Sequence, residues 1–352
     1  MPVFCAPMFL VSDPDLVVAA CTAGVVGTFN HLNARTAGDF ERWMDEITAR
    51  LDEARRADPG RTVAPFAVNV AVRRAPREER YDHDMEVIRE YEVPLVISMN
   101  GSPRRIAETV HGYGGVLIHD VPSVELARKA VDAGADGLIA LCGGAGGHTG
   151  TASPFALVPQ IRRFFDGPLA LAGAVSDGRG IRAAQSLGAD YAYMGTRFIA
   201  TQECGVPTAY KELLVSQGTE DVVATDAITG LQANFLRGSI VGAGLDPAAL
   251  PAPKGLFQPP FPKTSRDGVT CGAAATASGS STTSLPWRSS STGCGANTWP
   301  HPERPRAMTE RTARWSPHLS PNGAAASSFC AFSGRRSATR STGRPRWAST
   351  PR

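Results

Sequence analysis

Short runs of Val, Ile, Leu and Ala recur every 20 to 30 residues through the first 200 positions, each followed by a longer helix-like stretch. The apolar runs lie at residues 3–6, 25–28, 66–70, 95–98, 116–119, 137–141, 169–172 and 191–194. Their length and Val/Ile content predict strands, and the intervening stretches at 15–23, 39–56, 84–91, 104–111, 124–133, 155–165 and 179–187 predict helices. Start signals precede three of these helices: Asp13-Pro14, Ser102-Pro103 and Ser153-Pro154. Gly134 and Gly188 stand just past the last turns of two others, where a left-handed residue is wanted. Parallel strands need helical crossovers, so this alternation is an α/β pattern, and eight units fit a (β/α)8 TIM barrel. An open doubly wound sheet meets the same spacing.

Composition divides the chain. Of its 352 residues, positions 264–352 carry 12 Arg, no Lys, one Asp and two Glu, so this tail has a net charge of +9 and residues 1–263 carry −6. The overall +3 is an average of two unlike parts and implies no nucleic-acid partner. The tail lacks Ile, Tyr and Gln, has only Leu285 and Leu319 as leucines, and contains 28 Ser and Thr. Such a stretch buries too little apolar surface to offset its ordering entropy. Two readings follow for this low-complexity C-terminal tail: disorder, or GC-rich DNA translated out of frame, for which the abrupt loss of Lys and Ile is the expected sign. The domain boundaries are accordingly 1–263, a barrel with the start of a C-terminal extension, and 264–352.

The first 24 residues place Asp13 and Asp15 in their apolar stretch and have no basic opening, unlike a secretory signal. No run approaches the roughly 18–20 apolar residues that span a bilayer. The seven cysteines show no paired spacing that would indicate disulfides or zinc. These features predict a reduced cytoplasmic protein without metal or membrane partner, and are compatible with a homo-oligomer.

Candidate chemistry gathers at the ends of the predicted strands. The sixth runs into a loop, residues 142–150, whose five glycines let backbone approach a flat ligand. The seventh ends in Ala172-Gly173-Ala174 and the eighth in Met194-Gly195-Thr196, with a short helix expected at once. Loops after the last two barrel strands commonly hold phosphate on backbone N–H groups, which makes Gly173 with Ala174, and Gly195 with Thr196, the expected cradle. One glycine pair alone reads first as a turn; its recurrence at three consecutive strand ends reverses that reading and points to a phosphate-bearing cofactor across the barrel mouth. His148, in the sixth loop among Gly146 and Gly147, has an imidazole able to exchange a proton near neutral pH. His31, His83, His111 and His119 lack such a setting and read as structural or surface groups. Cys142 reads as a small buried residue. Asn69 ends the third strand with an amide suited to a heterocycle's edge, while Pro7 and the adaptable thioether of Met8 follow the first. Asn100-Gly101 reads as a turn.

Together, Ala6-Pro7-Met8, Asn69, Ala145-Gly146-Gly147-His148, the Ala-Gly-Ala with Asp177-Gly178, and Gly195-Thr196-Arg197-Phe198 resemble the nitronate monooxygenases, formerly called 2-nitropropane dioxygenases. The resemblance covers residues 1–250. It implies non-covalent FMN at Pro7, Met8, Asn69, Gly146, Gly147, Gly173, Ala174, Met194, Gly195 and Thr196, with His148 as catalytic base. It also implies a nitronate or nitroalkane substrate that, with O2, ends as a carbonyl compound and nitrite. Leu141, Gly144 and Tyr193 depart from the Gln, Glu and Gln of many members. Ala174 replaces a glycine, an exchange without cost if its φ is negative. Residues 269–276 stand where members carry a Trp-Ser-Ala-Gly-Gln-Gly segment. FMN-dependent enoyl-acyl carrier protein reductases and quinone reductases share the Ala-Gly-Gly-His loop and form the alternative, as does an inactive flavin-binding homologue.

Overall fold

The computed structural model describes residues 1–72 and 78–250. The 264–352 segment, and with it the expectations for the tail and for residues 269–276, lies outside the described residues. The elements run β1 (Val3–Cys5), α1 (Pro14–Thr22), β2 (Val26–Asn30), α2 (Ala37–Ala57), β3 (Phe66–Ala71), α3 (Glu78–Glu90), β4 (Leu95–Met99), α4 (Arg104–Gly112), β5 (Val116–Val121), α5 (Val124–Asp132) and β6 (Gly137–Leu141). They continue with β7 (Gly147–His148), α6 (Pro154–Arg162), β8 (Leu169–Ala172), α7 (Gly178–Ser186), β9 (Tyr191–Met194), α8 (Thr196–Ile199), α9 (Thr208–Ser216), β10 (Val222–Thr225), β11 (Ala233–Leu236) and α10 (Arg237–Gly242).

Eight parallel strands, in the order β1-β2-β3-β4-β5-β6-β8-β9, form a closed barrel. Pairing of Phe4 with Tyr193 and of Cys5 with Met194 joins the last strand to the first. The (β/α)8 TIM barrel read from the sequence is therefore the fold, and the open sheet is excluded. Strand parity sorts the side chains. Phe66, Val68 and Val70 of β3 face the helices, as do Leu169 and Leu171 of β8, and together with helix residues such as Phe40, Met44, Ile47 and Leu51 they build the outer core layers. The alternate residues point into the barrel, where Phe4 meets Tyr191 edge-on at 5.3 Å and Tyr193 at 6.0 Å. Each aromatic pair adds about 0.5–1.5 kcal/mol beyond its buried area.

Local signals account for the helix ends. The Asp13 carboxylate accepts from the Leu16 N–H at 2.9 Å, and Thr36 and Asp39 exchange reciprocal bonds of 3.1 Å at the start of α2. Gly134 and Gly188 take φ of +96° and +106° after α5 and α7, as expected. The third helix begins at Glu78, six residues before the expected start at Asp84. Asp84 is no cap: it lies mid-helix, buried, with its carboxylate held by His31 at 2.7 Å and by Arg80 at 2.7 and 2.8 Å. Burial alone would keep the acid protonated, but the hydrogen bonds from His31 and Arg80 outweigh it and hold the carboxyl below its usual range.

At the amino-terminal end of the barrel, Arg162 ties α6 to two strands. Its guanidinium donates to the carbonyls of Gly188 (2.6 Å), Phe165 (3.1 Å) and Gly167 (2.6 Å), and pairs with Asp190. Asp190 also accepts from the Leu169 N–H at 3.0 Å. After the barrel, β10 and β11 form an antiparallel pair to which β7 adds as a third strand. Nothing in the first 200 residues announces this small sheet, because β7 is only two residues long and its partner lies beyond the eighth barrel strand. No helix among the described residues is long and apolar enough to cross a membrane.

Candidate functional site

The site is built on the carboxyl ends of the barrel strands. Met8 follows β1 in a loop pinned by Asn33, whose amide donates to the Met8 carbonyl at 2.9 Å and the Ser12 carbonyl at 2.8 Å while accepting from the Leu10 N–H at 2.9 Å. Ser12 Oγ accepts from the Met8 N–H at 3.0 Å. These bonds hold the thioether against Gly195, where a Cβ would lie 3.4 Å from Met8 Sδ. Pro7 is half-buried beside it. The structure thus joins the loops of the first and eighth barrel strands, as the shared strand-end reading expects.

Asn69 is buried on the inward face of β3. Its Oδ1 accepts from Asn30 Nδ2 at 2.8 Å and its own amide reaches the Ile97 carbonyl at 3.4 Å. Asn30 in turn accepts from the Leu32 N–H at 2.9 Å. Asn30 therefore orients Asn69, a role the sequence reading missed although both residues occupy inward positions of neighbouring strands.

The glycine loop after β6 folds back over the barrel. Its course needs Gly150, where a Cβ would sit 2.0 Å from the Leu141 carbonyl oxygen. His148 pairs with Ala233 and Gly147 with Asn234 of β11. The Asn234 side chain donates to the Ala145 carbonyl at 2.8 Å, and the Thr149 N–H to the Gln232 carbonyl at 3.1 Å. A hairpin encoded after the barrel thus positions the imidazole. His148 is half-buried, and that burial holds its pKa below the usual 6.5, leaving the ring neutral and able to accept a proton at neutral pH. Gly146 is exposed and Gly147 half-buried beside it.

The loop after β8 differs from expectation at Ala174. Its φ is +54°, not negative, and its N–H, expected to face a phosphate, donates to the Gly144 carbonyl at 3.1 Å. An L side chain in this region costs about 1–2 kcal/mol. Ala174→Gly is expected to raise stability by about 0.5–1 kcal/mol, relief of that strain outweighing the extra chain entropy of glycine. Urea denaturation checks this; an unchanged or lower midpoint would show that the alanine is unstrained. Gly173, at φ +152°, already has its space filled: a Cβ would come within 3.0 Å of the Gly143 carbonyl oxygen. Gly195 caps the short helix α8 and Thr196 is its first residue, so the helix expected after the eighth strand is present.

Met194 corrects the sequence reading. Its side chain is buried in the outer core among Val3, Cys5 and Phe198, and its carbonyl accepts from the Ala6 N–H at 2.8 Å. As Tyr193, the penultimate residue of β9, faces inward, parity sends Met194 away from the mouth. Cys142 is fully buried, with burial pushing its thiol up to about 12, which agrees with a packing role. His31, His83 and His111 are hydrogen-bonded to Asp84, Glu41 and Asp136.

Three buried side-chain atoms among the described residues lack a hydrogen-bond partner: Tyr81 Oη, Asp120 Oδ1 and Ser176 Oγ. The last two belong to carboxyl ends of barrel strands or the loops that follow them. A buried polar group left unpaired costs about 1–3 kcal/mol, so a polar ligand that pairs with them at the mouth is physically welcome. Among the described residues no cluster of His, Cys, Asp or Glu could hold a metal ion.

The family model for nitronate monooxygenase matches residues 1–254. Among curated proteins, the chain is 30% identical over 242 residues to a (3aS,4S,5R,7aS)-5-hydroxy-7a-methyl-1-oxo-octahydro-1H-indene-4-carboxyl-CoA dehydrogenase of Rhodococcus jostii, a match covering 69% of this chain and 64% of that protein. The chain therefore spans less than two thirds of that relative's length. Among solved structures it resembles FabK from Thermotoga maritima, with a TM-score of 0.59, 30% identity and coverage of 73% of this chain and 84% of the other. The nitroalkane oxidase of Streptomyces ansochromogenes matches with a TM-score of 0.59 and 28% identity over 67% of this chain and 77% of the other.

Proposed function

Because the chain belongs to the nitronate monooxygenase family, we propose that it is an FMN-dependent oxidoreductase that oxidises alkyl nitronates, or nitroalkanes after deprotonation, with O2 to carbonyl compounds and nitrite. The observation that carries this reading is His148, clamped by β11 and kept neutral by burial on the loop that follows β6. The residues present suit the cofactor. Gly173 in the loop after β8, and Gly195 with Thr196 at the start of α8, would take its phosphate on backbone N–H groups. Pro7 and Met8 would flank the ring and Asn69 would meet its edge. Gly146 and Gly147 would allow the His148 loop to lie close above.

Bound FMN supplies the redox chemistry, accepting electrons from substrate and passing them to O2. The protein's part is to hold the substrate beneath His148 and to remove its α-proton. A neutral imidazole takes that proton without first losing one of its own, and a positioned base contributes roughly 10²–10⁴ in rate.

A second reading is the FMN-dependent NAD(P)H reductase, with the same site passing electrons from a nicotinamide; the relative named a carboxyl-CoA dehydrogenase favours an acyl thioester as its substrate class. Two measurements decide. Purified full-length chain is expected to be yellow, with a flavin absorption spectrum; a colourless preparation that takes up no added FMN would overturn both readings. Under anaerobic mixing, alkyl nitronates are expected to bleach the flavin. Rapid bleaching by NADH or NADPH, with none by nitronates, would favour the reductase instead.

A further inference from the structure

The inward face of β5 ends in a carboxyl group that the barrel leaves unused. Val116, Ile118 and Asp120 point into the barrel, while Leu117 and Val121 pack outward against the helices. Asp120 Oδ1 is buried without a hydrogen-bond partner. By the same parity, β4 and β6 turn Met99 and Leu141 inward and β8 turns Ala172, none of them ionisable. From β9 come Tyr191 and Tyr193, and from β1 Phe4. Tyr193 lies close enough for a charge on Asp120 to add to the effect of burial, which pushes its phenol well up. Cys5 adds a smaller effect on the same phenol. His119, next to Asp120 in sequence, faces the other way: its ring is hydrogen-bonded to Ser98 Oγ at 2.7 Å, and burial pushes its pKa down to about 4, so it brings no positive charge. His148 belongs to the overlying loop.

We propose that Asp120 is a direct contact for the flavin ring, its carboxyl O–H donating to a carbonyl oxygen of the ring's pyrimidine edge, with Tyr193 completing a polar floor beneath it. The inference rests on the flavin reading above. Burial without a partner pushes Asp120 up to about 7, so in the free protein the donor proton is present below neutral pH and lost above it. A ligand that needs the proton then binds more weakly as pH rises.

The test is FMN affinity of the full-length apoprotein, measured by quenching of flavin fluorescence at about pH 6 and about pH 8.5, for wild type and Asp120→Asn. The asparagine amide is a donor at both pH values. The titrations of the FMN phosphate and of His148 are common to both proteins and cancel in the ratio of their dissociation constants. That ratio, wild type over variant, is expected to rise about 30-fold between the two pH values, as linkage requires for a group titrating near 7. Riboflavin, which has no phosphate, provides a measurement without any variant: its Kd for wild type is expected to weaken by about the same factor. FMN binding with a ratio unchanged by pH, or wild-type riboflavin affinity that is flat, would overturn the Asp120 contact while leaving the flavin reading intact. Failure of wild type to bind either flavin would overturn both.

Discussion

His148→Asn is expected to slow turnover of neutral nitroalkanes by about 10²–10⁴-fold while sparing flavin content. The substitution removes the imidazole and with it the basic nitrogen, while leaving the backbone unchanged. Backbone pairing of residue 148 with Ala233, and the Asn234 bond to the Ala145 carbonyl, do not depend on the imidazole, so the loop keeps its course. Preformed nitronates have already lost the proton in question and should be affected far less. Equal losses for both substrates would remove His148 as the base. The pH profile offers an independent readout. Burial lowers the His148 pKa below 6.5, so with flavin saturating, activity on neutral nitroalkanes should fall on the acid side of that value, where the ring becomes protonated. In His148→Asn the acid limb should vanish.

Arg162→Met should cost about 3–5 kcal/mol of stability, a loss that follows from breaking a largely buried ion pair by removing one partner. Its aliphatic replacement fills much of the volume but leaves the Asp190 carboxylate and the carbonyls of Phe165, Gly167 and Gly188 without the guanidinium. Because this cluster lies at the amino-terminal end of the strands, opposite the mouth, surviving folded protein should bind flavin normally. Thermal denaturation together with flavin content per folded molecule measures both parts. A midpoint within a degree or two of wild type would show that water replaces the guanidinium at little cost.

The barrel was legible because its signals are local. An apolar run of four or five residues, a cap such as Asp13 and a stop such as Gly134 each declare themselves within a few positions, and all eight barrel strands lie where the pattern puts them. Strand ends also placed His148, Asn69, Gly173 and Gly195 at one rim. What stayed hidden depends on parity or distance. Met194 and Tyr193 are adjacent, but only the register with Phe4 and Cys5 shows that the tyrosine turns inward and the methionine outward. Asp120 has the same inward parity as Ile118, and counting by twos along β5 would have found it. The positive φ of Ala174 has no local signal, since alanine does not ordinarily mark that conformation and only the glycine carried there by the resembled family points to it. Asn234 reaches Ala145 across 89 positions, a separation no local pattern spans.

That last contact has a bearing on how the molecule matures. Strands β6 to β9 emerge from a ribosome before residue 234 does, so a barrel with all its staves can close while the histidine loop is still unclamped. Closure of the barrel and readiness of the base are therefore separate events in synthesis, and the second waits for β11.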